Sequence, residues 1–150
     1  VIAVDTNLLV YAHRADMPQH AVAMPLLVDL VEGSSPWALP WPCLHEFFAS
    51  VTNSRWKSPT SPAQALAVLK DIAESPSVQI IGEGVDHIEI LASLVAKGRI
   101  HGGAIHDARI AAICIAHGIN ELWTADRDFS RFPALKTHNP FEHTHDRRRH

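Results

Sequence analysis

Short apolar runs alternate along this chain with longer segments whose apolar residues recur every three or four positions. Val1-Ile2-Ala3-Val4 is continuous and ends at Asp5-Thr6-Asn7, the pattern of a buried central strand that delivers polar residues at its C-terminal end. Leu8 to His13 has room for one helical turn. A second periodic stretch opens at Pro18, runs through Met24, Leu27, Val28 and Val31, and stops at Gly33, so it predicts a helix with a start and a stop. Trp37-Ala38-Leu39 predicts a second strand. After Pro40 and Pro42, Leu44, Phe47, Phe48 and Val51 recur at helical spacing, which puts Glu46 in or near the first turn of a helix.

Asn53 to Pro62 collects Ser, Thr and Pro and reads as a loop, and Ser61-Pro62-Ala63-Gln64 matches a capping box with Pro at the first helical position. The helix it opens runs to about Glu74. Val78 to Ile81 is the third strand, and Asp86 leads a helix through Ile88, Leu91, Leu94 and Val95 that ends near Gly98. A loop from Arg99 to Gly103 precedes a nearly all-round apolar helix from Ile105 to His117, with Asp107 in its first turn. Glu121 to Thr124 is the fourth strand, and Leu135 to His138 adds a fifth at the edge.

Strand and helix alternate throughout, which predicts an α/β fold: one mainly parallel central sheet of about five strands with helices on both faces. No internal repeat or linker divides the chain. Residues 1–141 read as one domain and residues 142–150 as a polar tail rich in His and Arg.

Composition narrows the function classes. With 150 residues the chain buries about 70% of its unfolded surface without disulfide help. Its 47% hydrophobic and 19% charged residues, with mean hydropathy +0.00, exclude a disordered chain. No apolar run approaches the roughly 20 residues that span a bilayer, so no membrane helix is expected. Asp5 cuts off the apolar start, and no basic segment or small-residue cleavage site accompanies it. Cys43 and Cys114 read as two reduced core thiols, so a cytoplasmic location is expected. The net charge of −3 supplies no general basic field for nucleic acid, and electrostatics has to be argued locally.

Four acids share one kind of location. Asp5 and Asp126 follow strands, while Glu46 and Asp107 stand near helix starts; all four are placed to converge at the C-terminal edge of the sheet, where open α/β folds bind ligands. Carboxylates packed together take up protons unless a cation compensates. A hard divalent ion such as Mg²⁺ or Mn²⁺ is the simplest compensation, and such a site suits metal-activated water attacking a phosphodiester. Each acid alone also fits a helix first turn or a turn cap.

The ordered set of Val4-Asp5-Thr6-Asn7, Glu46, Asp107-Ala108-Arg109-Ile110-Ala111-Ala112 and Thr124-Ala125-Asp126-Arg127-Asp128-Phe129 resembles the PIN-domain ribonucleases, and among them the VapC toxins of bacterial toxin–antitoxin pairs. The similarity runs from residue 1 to about 141. It implies a PIN-like fold and an endoribonuclease in which Asp5, Glu46, Asp107 and Asp126 form a Mg²⁺ site, with Mn²⁺ as a substitute. It implies that Asp128 assists the metal and that Thr6, Asn7 and Thr124 orient carboxylates or water. It further implies an RNA substrate, a VapB-like antitoxin whose peptide lies in a groove across the site, and a homodimer.

Outside that set, Trp56 stands between Arg55 and Lys57 in a polar loop and is a candidate for stacking on RNA, with Arg99 and Arg109 as candidate phosphate contacts. Phe129, Phe132 and Trp123 read as core, and His106 as a helix-end histidine beside Asp107. The tail with His143, His145 and Arg147 to Arg149 reads as a solvated end. Two other classes stay open. A PIN-like scaffold that binds RNA or protein without cutting is one. The other, an aspartyl-phosphate phosphohydrolase, also opens with an Asp after its first strand, but needs a second Asp where this chain has Asn7.

Overall fold

Ala3 and Val4 are fully buried in the first strand, β1 (Ile2–Val4). A strand covered on both faces gains nothing from alternation, which is why the run is apolar without a break. The structure, a computed structural model, describes residues 1–142. After β1 come α1 (Thr6–His13), α2 (His20–Glu32), β2 (Trp37–Pro40), α3 (Trp41–Val51), α4 (Pro62–Ala73), β3 (Val78–Ile81), α5 (His87–Gly98), α6 (Ile105–Ala116), β4 (Glu121–Trp123) and β5 (Thr137–His138). Short 3-10 turns occupy Gly102–Ala104 and Arg127–Arg131.

All five strands pair in parallel, in the order β3-β2-β1-β4-β5. Right-handed crossovers put the helices between β1 and β3 on one face and those between β3 and β4 on the other. Helix packing divides the same way, with α1 on α2 and α3, α3 on α4, and α5 on α6. The strand order reverses between β1 and β4, so their following loops diverge and leave a crevice at the C-terminal edge.

Several expectations shift in detail. The first helix has two turns where one was expected, because Leu8, Leu9, Val10 and Ala12 are buried and tertiary packing sustains it. The second helix begins at His20 and not at Pro18, since turns from Arg14 to Met17 and from Met17 to His20 use up the intervening chain. Glu46 lies in the second turn of α3: the helix starts at Trp41 directly after β2, with Pro42 in its first turn. Gly98 stays inside α5, and Arg99 takes the left-handed position at φ 53°. A Cβ on Gly98 would stand 3.2 Å from the Arg131 carbonyl oxygen, a tight contact that glycine avoids.

The Ser61–Gln64 capping box forms as read, with both reciprocal hydrogen bonds present. Phe129 and Phe132 are buried edge to face at 6.1 Å, and burying each ring contributes about 1.5–3 kcal/mol. Trp123 is half-buried and donates its indole N–H to Glu121 Oε1 at 2.9 Å, so it is less enclosed than a core residue. Cys43 and Cys114 are both free and buried. Among the described residues no helix is long and apolar enough to cross a membrane. Readings that fell on His143 to His150 lie outside the described residues.

Candidate active site

β1 and β4 end side by side. Val4 pairs with Trp123 and the Asp5 amide donates to the Trp123 carbonyl at 3.0 Å, so Asp5 and Thr124 are the next neighbours in the register. Asp5 caps α1 and is 5% exposed, and its carboxylate accepts four donors. Oδ1 takes the Thr6 amide at 2.8 Å and the Cys43 thiol at 3.6 Å; Oδ2 takes the Thr124 hydroxyl at 2.8 Å and Asn7 Nδ2 at 3.3 Å.

The flanking polar residues tie the loops to this carboxylate. Asn7 Oδ1 accepts from the Ala125 amide at 3.1 Å, and the Thr124 hydroxyl oxygen accepts from the Asp126 amide at 2.9 Å. The Thr6 hydroxyl donates to Glu46 Oε1 at 2.6 Å, which aims a carboxylate from α3 at the end of β1. Asp126 in turn accepts from the Asp128 amide at 2.9 Å and starts the 3-10 turn.

Asp5, Glu46, Asp107 and Asp126 line one cavity of about 360 Å³, and among the described residues its lining contains no Lys or Arg. Oxygens of Asp107, Asp126 and Asp128 lie within 4.8 Å of one another, as do those of Asp5 and Glu46 with the Cys43 sulfur. Burial pushes the Asp5 carboxyl up to about 6, with Glu46 repulsion adding and the Thr124 and Thr6 donors opposing. Burial, then repulsion from Asp126, Asp5, Asp128 and Glu46, pushes Asp107 to about 6 as well. Unlike Asp5, Asp107 meets no hydrogen-bond donor among the described residues, so its charge is opposed without local compensation.

The donor set fits a hard divalent ion: among the described residues it has five carboxylates, no imidazole and a local excess of negative charge. Met17 brings one soft atom to the lining, and Cys43, beside Asp5, is another. Burial and the charge of Asp5 hold its thiol well above the usual range, so it stays protonated and serves Asp5 as a donor.

The structure brings all four sequence-selected acids together and sets Asp128 beside them. Thr6, Asn7 and Thr124 bond to the carboxylates as the resemblance implied. Trp56 lines the same cavity. Arg109 forms an ion pair with Glu83 at 2.7 Å, and Arg99 is exposed at the end of α5, outside the cavity lining. His106 is exposed beside Asp107. Cys43, Tyr11, Met17 and Ser50 were not singled out for the site by the sequence. Cys43 stands three positions before Glu46 and Tyr11 four after Asn7, which are same-face helical spacings that flag both.

Residues 2–135 match the PIN domain family. Ribonuclease VapC43 of Mycobacterium tuberculosis is 35% identical over 144 residues, covering 95% of this chain and 97% of that protein. Among solved structures, M. tuberculosis VapC20, described as a sarcin-ricin loop cleaving toxin, superposes with a TM-score of 0.66 at 18% identity. That likeness covers 87% of this chain and 93% of that one. VapBC2 from Rickettsia felis, solved on a promoter DNA fragment, gives 0.63 at 22% identity, covering 92% and 97%. These two likenesses carry the fold, and the closer sequence relative carries the family. With the acids gathered where the strand order reverses, and with this extent of likeness, the chain belongs to the VapC ribonucleases of the PIN-domain family.

Proposed function

We propose that the protein is a Mg²⁺-dependent endoribonuclease, the toxin of a toxin–antitoxin pair, which hydrolyses phosphodiester bonds of single-stranded or loop RNA. The observation that carries this is the convergence of Asp5, Glu46, Asp107 and Asp126 on one cavity whose lining, among the described residues, holds no Lys or Arg. Those four residues, assisted by Asp128, would hold the ion, with Mn²⁺ as a substitute. When bound, the ion supplies a more acidic water and screens the negative charge of the phosphate. Asp5 is held still by its four donors and Glu46 by the Thr6 hydroxyl, so little reorganisation is left for the moment of reaction. The products are a 5′-phosphate and a 3′-hydroxyl.

The nuclease unit is residues 1–141. Its partners are the RNA, a VapB-like antitoxin and a second copy of the chain, and its location is cytoplasmic. The antitoxin is supported by the fold shared with toxin–antitoxin assemblies from Rickettsia felis and Haemophilus influenzae. Trp56, Arg99 and Arg109 are the candidate RNA contacts; Arg109 would exchange Glu83 for a phosphate.

The experiment is cleavage of total bacterial RNA by the purified protein with Mg²⁺ or Mn²⁺ against chelator, beside Asp5→Asn prepared identically. Discrete fragments that need both metal and Asp5 are expected. Folded, antitoxin-free protein that cuts nothing with either metal would refute the reading in favour of a binding role.

A further inference from the structure

The cavity that holds the acids also has an apolar and aromatic lining: Val10, Tyr11, Met17 and Trp56 share it with the carboxylates. We propose that Tyr11, Met17 and Trp56 form a nucleobase subsite, which receives the unstacked base next to the phosphate that is cut. The inference rests on the nuclease reading and names what the rest of the cavity does.

This lining is built before any ligand arrives. The Trp56 indole N–H donates to the Ser50 carbonyl at 2.7 Å, and the Arg14 guanidinium stacks on the ring at 4.1 Å from its centre. Arg14 is itself 8% exposed and tied down: Nε and Nη2 donate to the two Asp16 oxygens at 3.0 and 2.7 Å, and Nη1 to the Ser58 carbonyl at 2.8 Å. Fixing the indole in the free protein removes an ordering cost from binding, which makes Arg14 a positioning residue for Trp56.

Tyr11 is placed by equally specific means. It sits one turn after Asn7 on α1, so it shares the face that carries the Asp5 network. Phe141 meets its ring edge-on at 5.3 Å, and the His20 ring bonds the Tyr11 carbonyl at 2.9 Å. Two aromatic rings beside an anion-repelling, cation-demanding wall match the two halves of a nucleotide. The phosphate belongs on the ion side and the flat, weakly hydrated base on the ring side. A volume of about 360 Å³ lies at the small end of ligand pockets, a size for one base out of its stack.

The test uses synthetic RNA oligonucleotides carrying the mapped cleavage site, intact or with an abasic ribose on either side of the cut bond. With wild-type protein, removing the base at one of these two positions should lower kcat/KM by about tenfold or more, the loss expected for one stacked base. In Tyr11→Leu and Trp56→Leu the ratio of intact to abasic kcat/KM should fall toward one, because the ring that receives the base is gone. Tyr11→Phe should keep the penalty, since it keeps the ring. Thermal melts of both Leu variants beside wild type show that they are folded. An abasic penalty that persists unchanged in both Leu variants would overturn the proposal. So would the lack of a penalty at either position in wild type, a result that needs no variant. If wild type cuts no RNA with either metal, the nuclease reading itself has failed and the subsite goes with it.

Discussion

The Thr124 hydroxyl donates to Asp5 Oδ2 at 2.8 Å, joining residues 119 positions apart. The Thr124 hydroxyl oxygen accepts from Asn7 Nδ2 at 3.2 Å and from the Asp126 amide at 2.9 Å, so one buried side chain links the ends of β1 and β4. Thr124→Val keeps the shape and removes all three bonds. Leaving buried polar groups unpaired costs about 1–3 kcal/mol, which lowers Tm by about 2–4 °C per kcal/mol in a domain of this size. Thr124→Ser should recover most of the loss in thermal melts. A Val variant that melts with wild type would show the hydroxyl to be dispensable.

Asp107 carries the repulsion of four other acids without a donor among the described residues to offset it. Asp107→Asn should therefore raise the melting temperature of the metal-free protein near pH 7 while removing metal-dependent cleavage. Asp5→Asn should bring no comparable gain, because an amide nitrogen would face donors that now bond the carboxylate. Melting both variants beside wild type in chelator separates the two cases. A lower Tm for Asp107→Asn would refute the account of its strain.

The pH dependence has a definite sign. Asp5 and Asp107 both stand at about 6 against 3.8 for the free side chain. Between those values the native protein retains protons that the unfolded chain has released. Their contribution to the stability of the metal-free protein is therefore fully present below about pH 4 and lost as pH rises through about 6. A divalent ion favours the ionised forms, so the increase in Tm caused by Mg²⁺ should be near zero at about pH 4.5 and largest above about pH 7. A metal-induced increase independent of pH would contradict the assignment of these two acids to the ion.

Thr6 is the only described side chain that donates a hydrogen bond to Glu46, at 2.6 Å. Thr6→Val leaves Glu46 free to swing, while Thr6→Ser keeps the donor. Loss of a residue that orients a metal ligand costs about 10–100-fold in metal affinity or activity. The Mg²⁺ concentration for half-maximal cleavage should rise accordingly in the Val variant and return toward wild type in the Ser variant.

Both thiols should resist alkylation in the native protein. Burial holds Cys43 well above the usual thiol range and pushes Cys114 up to about 12, so neither forms the reactive thiolate near neutral pH. Iodoacetamide followed by intact-mass measurement should show no adduct until denaturant is added. Rapid labelling of the folded chain at Cys43 would mean that the floor of the acidic cavity opens.

What a few neighbouring residues decide among themselves was legible from the chain. The unbroken Val1 to Val4 run, the capping box at Ser61 and the apolar periodicity of α6 depend on backbone geometry within a turn or two. The four acids were legible because Asp5 and Asp126 follow strands, Glu46 stands on the helix after one, and Asp107 lies in the first turn of a helix that a glycine loop introduces. Element starts were less so: Glu46 moved a turn into α3 because Pro42 is carried inside the helix, and α1 doubled because burial supports turns that propensity alone does not.

The sequence by itself determined the order of elements, the parallel α/β architecture, the acids and the family whose motifs they match. It could not say that Cys43 donates to Asp5, that Arg14 spends its charge on Asp16 while backing Trp56, or that Arg109 turns to Glu83. Those pairings join residues whose separation in space is set by strand order and register, here the placing of β4 beside β1. Hydrophobic pattern tells each element which side to bury. Only the packed sheet decides which ends of which elements meet, and the cavity between the carboxylates and Tyr11, Met17 and Trp56 exists only where they do.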